Sequence, residues 1–190
     1  MANKQVSLGD RFAEITVVAL TVIALIAGWL YKSSIENASL AFNAEGVSAQ
    51  APKGWLQVEP AGNEILHTVD IKSTGFGATY VIQKIPTTQE ASAAEVSSRL
   101  SLNYAQNLLA FRMLDQREVT VYGREAYEIS YVFVESNPDL THDQLPSVVR
   151  GTDYVFLNGD HAVVVTFQAD EKNYDLDMGR FLVFLRSLSF

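Results

Sequence analysis

From Ile15 to Tyr31 the chain runs ITVVALTVIALIAGWLY without a single charged side chain. A helix apolar on every side must be hidden from water, in a bilayer or deep inside a large core. Its seventeen residues rise about 1.5 Å each to roughly 25 Å, the short end of what crosses a hydrocarbon layer of about 30 Å. Trp29 and Tyr31 close the run with amphipathic rings and Lys32 follows at once, the pattern of a helix end at headgroup level. A cleaved secretory signal is the competing reading, with Ser39-Leu40-Ala41 as the cleavage site. Against it, the run is longer than a signal's apolar region, little positive charge precedes it, and that site lies well beyond its end. The expectation is an uncleaved anchor over residues 15–31 that binds the lipid bilayer. Lys4, Arg11 and the terminal amine precede the run, and only Lys32 follows it within twenty positions. The positive-inside bias then sets the N-terminus in the cytoplasm and the rest outside it.

The division that follows is a short tail (1–14), the spanning helix (15–31), a small and polar linker (32–45) and one domain (46–190). The last is long enough to bury a core without covalent staples. The net charge is −8, and residues 1–44 carry three basic and three acidic side chains, so the excess belongs to the domain. An acidic domain repels phosphate backbones, which argues against nucleic acid as a partner. Cysteine is absent, which removes disulfides, thiol nucleophiles, thiolate metal sites and attachment through a lipidated cysteine.

Within the domain the periodicity alternates between strand and helix. Gly46–Ala51 is a short strand, and Pro52-Lys53-Gly54 makes a turn that delivers Trp55. Glu64–Ile71 alternates, and Gly77–Ile85 is rich in β-branched and aromatic residues until Pro86 stops it. Thr87 and Glu90 have capping-box spacing, and Val96, Leu100, Tyr104, Leu108 and Phe111 then form one helical stripe. Arg117–Tyr122 and Glu125–Glu135 read as strands joined at Gly123-Arg124, with Tyr127, Ile129, Tyr131 and Phe133 on one face. Ser136–Pro146 reads as a loop. Val148–Leu157 and His161–Gln168 flank Asn158-Gly159-Asp160, where Asn-Gly signals a tight hairpin. Asp170 is placed to cap a last helix with the stripe Tyr174, Met178, Phe181, Leu182, Leu185 and Leu188. Strands joined by hairpins make a mainly antiparallel sheet, and two amphipathic helices cover its faces. The fold class is α+β: a single transmembrane helix followed by an α/β/α sandwich.

Three short motifs in this order carry a family resemblance: Pro52-Lys53-Gly54-Trp55, the hairpin Val121-Tyr122-Gly123-Arg124-Glu125-Ala126-Tyr127, and the ending Phe181–Phe190 with Ser187-Leu188-Ser189-Phe190. Together they resemble the PsbP-like superfamily, which includes the extrinsic oxygen-evolving subunit of photosystem II and periplasmic DcrB-like proteins. A Ran-binding nuclear import factor shares its α/β/α sandwich. The resemblance covers residues 46–190. It implies a small non-enzymatic accessory or assembly protein of a cell envelope or thylakoid lumen. Metal ions are associated with some members, but no matching ligand set stands in this sequence. The chain departs from the family in its transmembrane anchor, where relatives are often soluble or lipid-attached.

No residue pattern announces catalysis. His67, His142 and His161 lack the spacing of a helical metal pair. Asp139, His142 and Asp143 read as a solvated loop before they read as a cation site, and Glu118, Glu125 and Glu128 read as charges on strand faces. Ser73-Thr74-Gly75-Phe76-Gly77 lacks the length and the Gly-Lys ending of a phosphate loop. No nucleophile elbow is present, and no cofactor or metal is expected. The expected function is a non-catalytic accessory subunit or assembly factor docking on a larger membrane protein complex, with Trp55 and Tyr122, both near turns, as candidate partner contacts. The alternative is an envelope module binding a small ligand or lipid between sheet and helix, for which Asn103 and Asn107 are the polar hints.

Overall fold

The computed structural model describes residues 8–36, 38–73, 75–136 and 146–190. The expected loop over 136–146, with Asp139, His142 and Asp143, lies almost wholly outside them, as does Thr74.

The chain forms two units, Met1–Ala38 and Ser39–Phe190. The described residues of the first hold one helix, α1 (Leu8–Glu36), longer than its apolar run at both ends. Its stretch Glu14–Lys32 is long and apolar enough to cross a membrane, and its large apolar side chains are exposed. Thr16 and Thr21 donate their hydroxyls to the carbonyls of Phe12 and Val17, four residues back. Both hydroxyls are thus satisfied within the helix, as a bilayer would require of them.

The second unit opens with a hairpin, β1 (Ser39–Ala44) and β2 (Val47–Pro52), turning at Glu45-Gly46. Residues 39–44, read from sequence as linker, are therefore strand. Their alternation is weak because β1 is mostly exposed and pairs with β2 alone. Seven further strands make one antiparallel sheet: β3 (Leu56–Gln57), β4 (Glu64–Val69), β5 (Thr79–Pro86), β6 (Arg112–Val121), β7 (Arg124–Glu135), β8 (Ser147–Asn158) and β9 (His161–Asp170). Their order is β3-β4-β5-β9-β8-β7-β6, so β9 inserts between β5 and β8 and joins the two halves.

Helix α2 (Ala93–Asn107) packs Val96, Leu100 and Tyr104 on one face, against Ile129, Tyr131, Val149, Val155 and Val164. Helix α3 (Tyr174–Arg186) and the β1–β2 hairpin cover the other, where Phe181, Phe184 and Leu185 meet Tyr80, Tyr154 and Phe167. The expected α/β/α sandwich is the observed one.

Three local expectations are corrected. Ser92, not Thr87, caps α2: its Oγ accepts from the Glu95 N–H at 3.1 Å. Thr87 is instead held beside β9, its N–H donating to Asp160 O. Helix α2 also ends before Phe111, which still packs on Tyr104 and Tyr131 from outside the helix. At the end of β9 Asp170 accepts from the Lys172 N–H in a local turn, and Asn173 holds the cap position of α3. In the β8–β9 turn Asn158 still pairs with His161, so Gly159 and Asp160 form the loop. There Gly159 (φ +65°) supplies the positive φ at the first central position, the place that a type II′ turn gives to glycine.

Candidate functional site

Helix α2 lies over β7 and β8 and leaves the β4–β5 part of the same sheet face open. On that open side sits a cavity of about 620 Å³ whose lining includes Val69, Phe76, Leu108, Phe133, His67 and Gln168. A smaller one of about 270 Å³ follows α2 along Gln83, Ile85, Val96, Leu100, Asn103 and Tyr104. Register explains which side chains reach the groove: His67 pairs with Val81 and Val69 with Thr79, so these share a face, while Leu66 and Thr68 turn to the α3 side.

Beneath the groove lies a buried polar cluster. Asp153, in the middle of β8, is fully buried. Its Oδ2 accepts from the Tyr104 hydroxyl of α2 at 2.8 Å and its Oδ1 from the Tyr131 hydroxyl of β7 at 3.2 Å. Gln168, on the cavity wall, donates through Nε2 to the Tyr131 oxygen at 3.0 Å. Gly151 is what admits the Tyr131 ring, because a Cβ there would overlap it. Burial pushes the Asp153 carboxyl up to about 6, with the two tyrosine donors pulling the other way. Burial, and then the neighbouring carboxylate, raise both tyrosines. With every partner a hydroxyl and its surface closed, Asp153 pins α2 to the sheet; it has no open side from which to serve a substrate.

The residues singled out from sequence disperse. Trp55 is partly buried, its ring 4.5 Å from that of Tyr80, and so belongs in part to the core beneath α3. Tyr122 is 54% exposed in the β6–β7 turn, with φ +49°, and its hydroxyl donates to Leu182 O of α3 at 3.0 Å. Asn103 and Asn107 are both exposed; Asn103 stands on the rim of the smaller cavity, and Asn107 Nδ2 donates to Asn103 O. Glu118 and Glu125 line a cleft of about 450 Å³ near the start of α2, whereas Glu128 lies on the opposite face beside Arg117. His67 contacts Glu64 and His161 contacts Asp160. Among the described residues no three His, Asp or Glu side chains gather as metal ligands. Sequence reasoning missed Asp153 and Gln168. Asp153 follows Arg150-Gly151-Thr152, a polar stretch of β8 that offers no local signal of a buried carboxylate.

No family model matches the chain, and no curated protein matches it. Among solved structures it is similar to cyanobacterial PsbP (CyanoP) from Synechocystis, at 16% identity over 80% of this chain and 92% of that one, with a TM-score of 0.55. A structure from Bacteroides thetaiotaomicron matches at 10% identity over 80% of this chain and 48% of that one, TM-score 0.54. The Ran-binding protein Mog1p of Saccharomyces cerevisiae matches at 12% identity over 80% and 96%, TM-score 0.48. At these identities the likeness is one of fold: residues 39–190 have the PsbP-like sandwich.

Proposed function

We propose that the chain is a single-pass membrane-anchored, non-catalytic accessory subunit or assembly factor. Residues 15–31 hold it in the bilayer, its N-terminus is cytoplasmic, and its extracytoplasmic domain docks on a larger membrane protein complex. The observation that carries this reading is the pairing of an exposed apolar helix with a domain whose deeply buried carboxylate, Asp153, is spent on holding its own helix. The fold shared with CyanoP, a cyanobacterial PsbP, is consistent with it. Tethering raises the effective concentration at a membrane partner, so a modest surface suffices. The acidic domain repels nucleic acid.

Cross-linking in intact membranes tests the reading. Discrete products heavier than two copies of this chain are expected, alkaline carbonate should leave the chain in the membrane, and protease added from the cytoplasmic side should spare the domain. Release by carbonate, or cleavage of the domain from the cytoplasmic side, would contradict the anchor or its orientation.

The groove favours a second reading, an envelope module that takes up a small ligand or lipid, since about 620 Å³ is within the range of ligand sites. Native mass spectrometry of the full chain in mild detergent separates the two. A bound small molecule supports the second reading, and the bare mass of the chain the first.

A further inference from the structure

Helix α3 turns an apolar stripe to solvent that its own sheet does not use. Leu176 and Val183 are 76% and 67% exposed. They stand about two turns apart, and Gly179 lies between them with open space where a Cβ would sit. Charge is divided along the same helix: Asp177 in the first turn pairs with Arg180 beside Gly179 at 3.9 Å, while Asp175 in the first turn and Arg186 in the last are both exposed. Eleven residues are close to three whole turns, so these two charges stand on one flank of the stripe.

That arrangement is complementary to itself. In an antiparallel pair related by a two-fold axis near Gly179, Leu176 of each copy meets Val183 of the other, and Asp175 meets Arg186 twice. The glycine at the crossing lets the two backbones approach closely. A parallel pair would instead set like charges together. We propose that the outer face of α3 docks on a second copy of this chain. One helix face buries less than about 1,000 Å² of surface, a weak contact between free molecules. Its occupancy rests on the anchor, which confines both copies to one membrane.

The chain has no cysteine, so single cysteines report the contact without background. The full chain in lipid vesicles is oxidised mildly as Gly179→Cys and as Leu102→Cys, the latter 65% exposed on α2. Covalent dimer is expected at G179C about tenfold above L102C. Adding Arg186→Asp should lower it about tenfold, because a two-fold contact carries the ion pair twice, and Asp175→Arg with Arg186→Asp should restore it. Equal yields at the two positions, or no response to R186D, would overturn the proposal. Cross-linking of G179C to a different protein in native membranes would overturn self-pairing and leave docking on a larger complex standing.

Discussion

A carboxylate set in the middle of a sheet face must find donors or hold a proton, and Asp153 is placed to do both. Its folded-state acidity lies near 6, above the ordinary value of 3.8, because burial penalises the charge. The folded protein therefore binds more protons than the unfolded one between about pH 4 and 6, so this group's stabilising share is full below about 4 and is lost as pH rises through about 6. Asp177 is shifted the same way by burial, so the contrast with Asp153→Asn isolates the effect. Urea denaturation of the full chain in detergent should show wild type losing on the order of 2–3 kcal/mol relative to D153N from about pH 4 to 7. Parallel pH profiles would show that Asp153 is not the group responsible. Tyr80 supplies the opposite case: its hydroxyl is buried with no hydrogen-bond partner among the described residues. Tyr80→Phe is expected to raise stability by about 1 kcal/mol in the same assay, and a loss of that size would mean the hydroxyl is satisfied. Neither environment was readable from sequence. Asp153 follows Arg150-Gly151-Thr152, so its carboxylate does not stand out, and its donor Tyr104 is 49 positions away, brought to it by packing.

The elements follow their local signals where those signals are redundant and stray where one residue decides. Three members of the α2 stripe, Val96, Leu100 and Tyr104, fall within the helix, and Leu108 and Phe111 pack on the same cluster from beyond its end. Its start rested on a single spacing that occurs twice, in Thr87–Glu90 and Ser92–Glu95, and only the second begins a helix. Ser92→Ala should therefore cost about 1 kcal/mol in thermal or urea unfolding, while Thr87→Ala costs a few tenths at most. Equal losses would return the cap to open question. On α3 the expected stripe missed Phe184 and included Leu182, which is partly exposed and lends its carbonyl to Tyr122. Neighbouring positions on a helix differ by about 100°, so where most positions are apolar the sequence alone does not fix which edge of the stripe is buried. The Tyr122-Gly123 turn takes positive φ at both residues, an uncommon conformation for a tyrosine, and the hydroxyl bond to α3 offsets part of that strain.

At the scale of the whole molecule, an acidic sandwich follows a helix that no soluble surface would leave bare. The helix was legible in its centre, because seventeen uncharged residues admit few solutions, whereas its extension to Leu8 and Glu36 was not. The sandwich was legible as an order of elements, with the first strand lost in the linker. Of the two expected contacts, Trp55 is half-buried against Tyr80, and Tyr122 is half exposed with its hydroxyl on Leu182 O. The most direct test is gentle detergent solubilisation of native membranes, native gel separation and detection of this chain. Migration within an assembly larger than two copies, surviving moderate salt, is the predicted result. Migration solely as a monomer or dimer would contradict the accessory-subunit account.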